Sequence, residues 1–243
     1  MRMIAVDIGN TNIHFAWFNN DRIIKTAKLS TPKASKSTLT MIVPKNCSNN
    51  IFICSVVPKI TVLFKKLYSS IYIAGKNLKI PIKCLYNKKE VGMDRLVGVI
   101  AAKIIYPESR MVLDFGTAIT IDFLSAGGDY QGGIILPGIG STLKVFANCA
   151  LLPSKVKFIK IKNIIPKNTK ESINCGLQKG FSAMIDSLIK EYKKRLKIPP
   201  SAKIIATGGE AKLIIPELSF ACQYEPYLVL KGLNILSKLH SLK

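Results

Sequence analysis

The sequence predicts an α/β protein of two similar lobes, each opening with three strands and continuing in strand–helix units, a duplicated βββαβαβα plan. Three observations carry that prediction. The 243-residue chain writes one pattern twice: apolar run, Asp-x-Gly turn, strand, hairpin, strand, with Asp7 and Asp114 in equivalent places 107 residues apart. Apolar strand-like runs then alternate with segments of helical period. A third glycine turn, Thr207-Gly208-Gly209, follows a further short apolar run. The repeat divides the chain into an N-terminal lobe, residues 1–106, and a C-terminal lobe, residues 107–243.

Each element follows from local pattern. Met3-Ile4-Ala5-Val6 is an apolar run ending in the turn Asp7-Ile8-Gly9-Asn10-Thr11. Ile13 to Phe18 is β-rich, Asn19-Asn20-Asp21 has hairpin chemistry, and Arg22 to Leu29 continues as a third strand. Thr31 to Asn50 is polar and broken by Pro32 and Pro44, so helix is weakly specified there. Ile51 to Val57 reads as a buried strand ending at Pro58, and Ile60 to Ser70 carries Leu63, Phe64 and Leu67 at helical spacing. Ile80 to Leu85 reads as a strand, followed by a loop with Tyr86 and Gly92-Met93-Asp94-Arg95, then an apolar helix from Leu96 to Ile105. The second copy runs through Met111-Val112-Leu113, Asp114-Phe115-Gly116-Thr117-Ala118, Ile119 to Leu124, the turn Gly127-Gly128-Asp129, and Gly133 to Leu136. Ile139 to Ala150 reads as a helix, and Thr169-Lys170-Glu171-Ser172 has helix-start spacing for a long helix from about Ser172 to Lys197, stopped by Pro199-Pro200. Lys203 to Ala206 is a strand and Leu228 to Leu239 a closing helix.

Composition narrows the function classes. With 48% hydrophobic and 21% charged residues, this is an ordinary globular composition. No apolar run approaches the roughly 18 residues that span a bilayer, and the N-terminus lacks the build of a signal peptide, so the expectation is a cytoplasmic protein away from membranes. Six cysteines are scattered without CxxC spacing or a histidine cluster, which suits buried free thiols rather than zinc or a disulfide framework. The net charge of +22 would suit nucleic acid, yet five arginines against 31 lysines, spread without interleaved aromatics, mark no binding face. Nucleic acid is therefore not the expected partner, and the lysine excess has no explanation beyond compositional drift.

A strand ending in Asp-x-Gly-[Asn/Thr]-[Thr/Ala] has a chemical use. Glycine lets backbone N–H groups approach a phosphate, and the Asp can hold a hydrated Mg²⁺ that bridges phosphate oxygens. One such turn is a common structural turn. Two in duplicate lobes, expected to face each other across an interlobe cleft, suit the clamping of one nucleotide. Thr207-Gly208-Gly209 would give close backbone approach to its adenosine end. Neither GxxxxGK[ST] nor GxGxxG is present, which disfavours P-loop and Rossmann readings.

This is the pattern of the actin, hexokinase and Hsp70 superfamily of ATPases, whose lobes are ribonuclease H-like. Along nearly its whole length the chain resembles, more narrowly, the type III pantothenate kinases. Asp7-Ile8-Gly9-Asn10-Thr11 matches their first phosphate loop and Asp114-Phe115-Gly116-Thr117-Ala118-Ile119-Thr120 the second. Gly92-Met93-Asp94-Arg95 matches the Gly-x-Asp-Arg substrate motif. Ser55-Val56-Val57-Pro58, Gly132-Gly133-Ile134-Ile135-Leu136-Pro137-Gly138, Thr169-Lys170-Glu171-Ser172 and Thr207-Gly208-Gly209 follow in the family's order.

The resemblance implies ATP-dependent phosphorylation of pantothenate to 4′-phosphopantothenate, the first step of coenzyme A synthesis. It makes Asp94 the general base, with Tyr86, Gly92, Met93, Asp94 and Arg95 around the substrate and Thr169 reaching it from the partner subunit of a homodimer. ATP would be contacted by Asp7, Ile8, Gly9, Asn10, Thr11, Asn12, Ile13, His14 and Thr117. Asp7 would serve Mg²⁺ through water and Asp114 a monovalent cation, K⁺ or NH₄⁺. Some members carry a basic residue where His14 stands, which puts a charge-based nucleotide contact there in question. Two other readings remain open: a non-catalytic transcriptional accessory relative of the same fold, and a kinase of the superfamily acting on a sugar-like hydroxyl.

Overall fold

The computed structural model describes residues 2–46, 50–87, 90–146, 156–160 and 165–241. Its strands are β1 (Arg2–Ile8), β2 (Asn12–Asn19), β3 (Arg22–Ser30), β4 (Asn50–Ser55), β5 (Ile71–Ile73), β6 (Ser109–Phe115), β7 (Ala118–Leu124), β8 (Tyr130–Pro137), β9 (Lys203–Thr207) and β10 (Gln223–Tyr224). Its helices are α1 (Lys36–Ile42), α2 (Pro58–Leu67), α3 (Met93–Ile105), α4 (Ile139–Phe146), α5 (Thr169–Arg195), α6 (Ala211–Ile214) and α7 (Leu228–Ser241).

The strands form two five-stranded sheets, ordered β3-β2-β1-β4-β5 and β10-β9-β6-β7-β8. Both place the first strand of their half in the centre, and in both that strand is antiparallel to the second and parallel to the fourth. The expected α/β duplication is therefore present as repeated topology, and the two Asp-x-Gly turns are its equivalent β1–β2 and β6–β7 connections. The central positions explain the apolar runs, since a strand with neighbours on both sides and helices over its faces buries nearly every residue. At one edge β3 is lysine-bearing and largely exposed, which discourages edge-to-edge pairing.

By contacts the chain forms two compact units, Met1–Pro107 with Gly127–Gln131 and Tyr227–Lys243, and Glu108–Ala126 with Gly132–Pro226. In the first, Ile4, Val6 and Ile8 of β1 join Leu39 of α1 and Ile60 and Phe64 of α2 in one core. Helices α3 and α7 contact each other, α7 also contacts β1, β2 and β4, and α3 contacts β4. The second has its own core, in which Leu113, Phe115, Ile119 and Ile121 meet Leu177, Phe181 and Ile185 of α5.

The closing helix, which chain order assigns to the C-terminal half, thus packs in the first unit. The physical reason is a close helix approach: a Cβ on Gly232 would strike the main-chain carbonyl of Val97, and Gly98 faces Leu228 and Val229.

Other elements differ from expectation. Ile80 to Leu85 is no strand; only an isolated bridge joins Cys84 to Tyr130, and Pro81 lacks the N–H that a ladder needs. Strands β5 and β10, of three and two residues, are too short to show a period. Helix α3 begins at Met93, so the Gly-x-Asp-Arg motif is its first turn. Helix α5 is capped by Asn168, whose side chain accepts the Glu171 N–H at 2.9 Å, one residue before the expected start. Helix α4 is described to Phe146, and the expected extension to Ala150 lies outside the described residues. Among the described residues no helix is long and apolar enough to cross a membrane, and Cys54, Cys84, Cys175 and Cys222 are free thiols.

Candidate active site

The first acidic turn is a tight connection between paired strands. Ile8 stands opposite Ile13, the Gly9 N–H donates to the Asn12 carbonyl at 3.0 Å, and Asp7 lies between His14 on β2 and Cys54 on β4. Buried Thr31 holds the turn from outside: its hydroxyl donates to the Gly9 carbonyl at 2.7 Å and its N–H to the Thr11 carbonyl at 3.0 Å. Asn10 and Thr11 are left exposed at the tip. His14 is half-buried, and burial, with the Lys28 charge second, lowers its pKa. Its imidazole is therefore neutral near pH 7.

Asp94 sits in the first turn of α3, where the helix N-terminus favours negative charge. Its Oδ1 accepts the Arg95 N–H at 2.9 Å. Gly92 makes this geometry possible, because a Cβ there would lie 2.5 Å from that same oxygen. Burial raises the pKa of Asp94 despite hydrogen bonds from the Arg95 and Asp94 N–H groups and the Arg95 charge. A carboxylate that is partly desolvated, oriented by the main chain and more basic than usual can accept a proton from an alcohol. Asp7 and Asp94 share a neighbour: both carboxylates, after burial itself, push up the pKa of the fully buried Cys54 thiol. The fold thus brings the first turn and Asp94 together in one unit.

Met93, Asp94 and Arg95 form the first turn of α3, Gly92 is its N-cap, and Tyr86 lies in the loop before it. Met93 packs on Gly75, whose φ of +76° favours glycine. Sequence reasoning missed Gly75, since a lone glycine in a loop carries no signal. Tyr86 is exposed, in a loop that follows two main-chain hydrogen bonds between residues 83–85 and Tyr130. The Arg95 guanidinium lies 5.8 Å from the Tyr130 ring centroid. Thr169 is exposed at the start of α5; because Asn168 and Glu171 supply the cap, the Thr169 hydroxyl is not used for it.

The second acidic turn lies in the other unit. The Thr117 carbonyl accepts the Gly138 N–H at 3.2 Å and the Ser141 hydroxyl at 2.7 Å. Gly138 cannot carry a side chain, since a Cβ would collide with the Gly116 and Thr117 carbonyls. Gly208, at φ +97°, presses against the Phe115 main chain. Glu210, just beyond it, donates its N–H to the Phe115 carbonyl and accepts the Gly140 N–H on Oε1 at 3.0 Å, at the start of α4. Its Oε2 is buried without a hydrogen-bond partner, and burial raises its pKa. Glu210 also lines a cavity of about 440 Å³ with Gly140, Leu143, Lys144, Val156, Lys157, Phe158 and Leu213. Asp114 is half-buried and Thr117 exposed.

Among the described residues no three His, Cys, Asp or Glu side chains gather to cage a metal. Asp7 and Asp114 are each a half-buried carboxylate at an Asp-x-Gly turn, and a single carboxylate completed by phosphate oxygens and water is a donor set that Mg²⁺ accepts.

Residues 3–191 match the model of the family described as type III pantothenate kinase. The chain is 33% identical over 251 residues to a type III pantothenate kinase of Geobacter sulfurreducens, covering 96% of this chain and 97% of that one. Among solved structures it is similar to a Campylobacter jejuni protein described as a Baf family transcriptional activator, with a TM-score of 0.64, 22% identity, and coverage of 99% of this chain and 100% of that one. It is also similar to the Clostridium difficile activator of 2-hydroxyisocaproyl-CoA dehydratase with bound ADPNP, with a TM-score of 0.58, 11% identity, and coverage of 100% and 98%. Those structural likenesses establish the fold; the sequence relationships establish more. The chain belongs to the type III pantothenate kinase family.

Proposed function

We propose that this protein transfers the γ-phosphoryl group of ATP to the primary hydroxyl of pantothenate, forming 4′-phosphopantothenate for coenzyme A synthesis in the cytoplasm. The observation that carries the proposal is Asp94: a carboxylate of raised pKa on the first turn of α3, placed by Gly92 and close to the Asp7 turn. Phosphoryl transfer asks little covalent chemistry of a protein, so positioning and charge compensation supply most of the rate. Asp94 orients the acceptor hydroxyl and takes its proton. Arg95 offers a planar cation to the pantothenate carboxylate, with Tyr86, Gly92 and Met93 beside it and Thr169 contributed by the second subunit of a homodimer.

On the nucleotide side, Asp7 to His14 and Thr117 contact ATP, and Gly208 with the cavity beside Glu210 suits the adenosine end. Mg²⁺ bound with the nucleotide neutralises phosphate charge; Asp7 would hold it through water, and Asp114 would hold K⁺ or NH₄⁺. The neutral His14 contributes a hydrogen-bonding ring rather than a charge.

The test is formation of phosphopantothenate and ADP by purified protein with ATP, Mg²⁺, K⁺ and pantothenate, with sugars as alternative acceptors. Pantothenate-dependent ADP release is expected. A folded dimer that turns over only a sugar, or that binds DNA and turns over nothing, would overturn the assignment.

A further inference from the structure

We propose that Tyr130 is a positioning residue for the acceptor site, acting through Arg95 and through the loop that carries Tyr86. The inference rests on the function proposed above and goes beyond it, because Tyr130 lies outside every substrate or nucleotide motif in the sequence.

Three observations meet at this residue. Tyr130 is fully buried and is the bulkiest such side chain among the described residues. Its main chain grips the loop before the Gly-x-Asp-Arg motif on both sides: the Tyr130 N–H donates to the Lys83 carbonyl, and its carbonyl accepts the Leu85 N–H, each at 2.9 Å. Its ring lies under the Arg95 guanidinium, 5.8 Å from the centroid. Leu85 and Tyr86 are 62% and 45% exposed, so burial of their own side chains does not hold them, whereas the sunken ring of Tyr130 anchors the main chain to which residues 83 and 85 are bonded.

The ring therefore does two things at once. It fixes the height at which residue 86 is presented. It also meets a guanidinium, which never loses its charge, with its electron-rich face and so fixes where that cation is presented. The consequence is selective: loss of the ring should weaken capture of the acceptor's carboxylate and leave the nucleotide side alone.

The experiment compares steady-state kinetics of Tyr130→Phe and Tyr130→Leu with the natural protein. Tyr130→Phe keeps the ring face and should stay within about twofold in every constant. Tyr130→Leu should raise KM for pantothenate about tenfold, with KM for ATP nearly unchanged. Equal increases in both KM values, or a change in kcat alone, would mark a merely structural role and sink the inference. Should Tyr130→Leu fail to fold, phenylalanines bearing one, two and three fluorines at position 130 provide a second reading at nearly constant size. Each fluorine drains the ring face, so KM for pantothenate should climb stepwise, and a flat series overturns the inference. Absence of pantothenate turnover in the natural protein would instead remove the functional reading beneath it.

Discussion

The two acidic turns are the same device held in place to different degrees. Each is a β-β connection after an Asp-x-Gly, and in each a hydroxyl from the segment after the third strand grips a turn carbonyl: Thr31 on Gly9, Ser141 on Thr117. The first turn is held by that clamp, by its own Gly9–Asn12 bond, and by the Thr31 and Val56 N–H groups on the Thr11 and Ile8 carbonyls, with the Asp94 carboxylate and the neutral Cys54 thiol as neighbours. The second is additionally wedged by Gly138, by Gly208 against Phe115, and by Glu210, which ties Phe115 to the start of α4. Duplication supplied two equal turns. Their surroundings set one near Asp94 and wedged the other against main chain.

The largest effect should come from the residue beside the first turn. Asp94→Asn should lower kcat by about 10²-fold or more while ATP still binds, and single-turnover phosphoryl transfer checks this. Because burial raises the Asp94 pKa above the usual 3.8, the folded state holds that proton more tightly than the unfolded chain. Its ionisation therefore costs stability as pH rises through the raised value, while kcat/KM rises through the same window because the base must be ionised. Asp94→Asn should consequently melt higher than the natural protein at neutral pH; a lower Tm would contradict the desolvation reading.

Next comes rigidity. Gly208→Ala combines a positive φ with a Cβ only 2.5 Å from the Phe115 main chain and should cost about 3 kcal/mol or more in denaturant unfolding. Gly9→Ala, whose Cβ would meet only the Asn12 carbonyl at 3.2 Å, should cost about 1 kcal/mol. Similar costs for the two would erase the contrast drawn here.

Smaller still are the hydroxyl clamps. Thr31→Val and Ser141→Ala each remove one hydrogen bond, a loss of about 1 kcal/mol. The first turn, where Gly9 is in looser contact than Gly138 or Gly208, should show the larger rise in KM for ATP. At the bottom of the scale, Glu210→Ala should lose the α4 cap, about 1 kcal/mol, whereas Glu210→Gln keeps an acceptor oxygen for Gly140 and should be nearly neutral in a thermal melt.

Much of this was readable before any coordinates. Strand runs, their acidic turns and the repeat are local patterns, and local patterns survive into the fold because a central strand must be apolar on both faces. Asp94 was singled out by the resemblance of Gly92-Met93-Asp94-Arg95 to a family motif; local pattern alone places it in a loop before the helix. Gly75, Tyr130 and Glu210 were not singled out. Each matters through a neighbour 18, 35 or 70 positions away, Met93, Arg95 or Gly140, and no window along the chain contains both partners. The same distance hid the place of α7 in the first unit, and a three-residue edge strand has no period to detect.

By itself, then, the amino-acid order determined the two-fold strand plan and the acidic turns, because hydrophobic alternation and glycine chemistry act over a few residues. Tertiary structure alone decided which carboxylate was desolvated, which glycines were wedged against main chain, and which aromatic ring came to lie beneath Arg95. Burial and close approach are properties of groups brought together from distant parts of the chain.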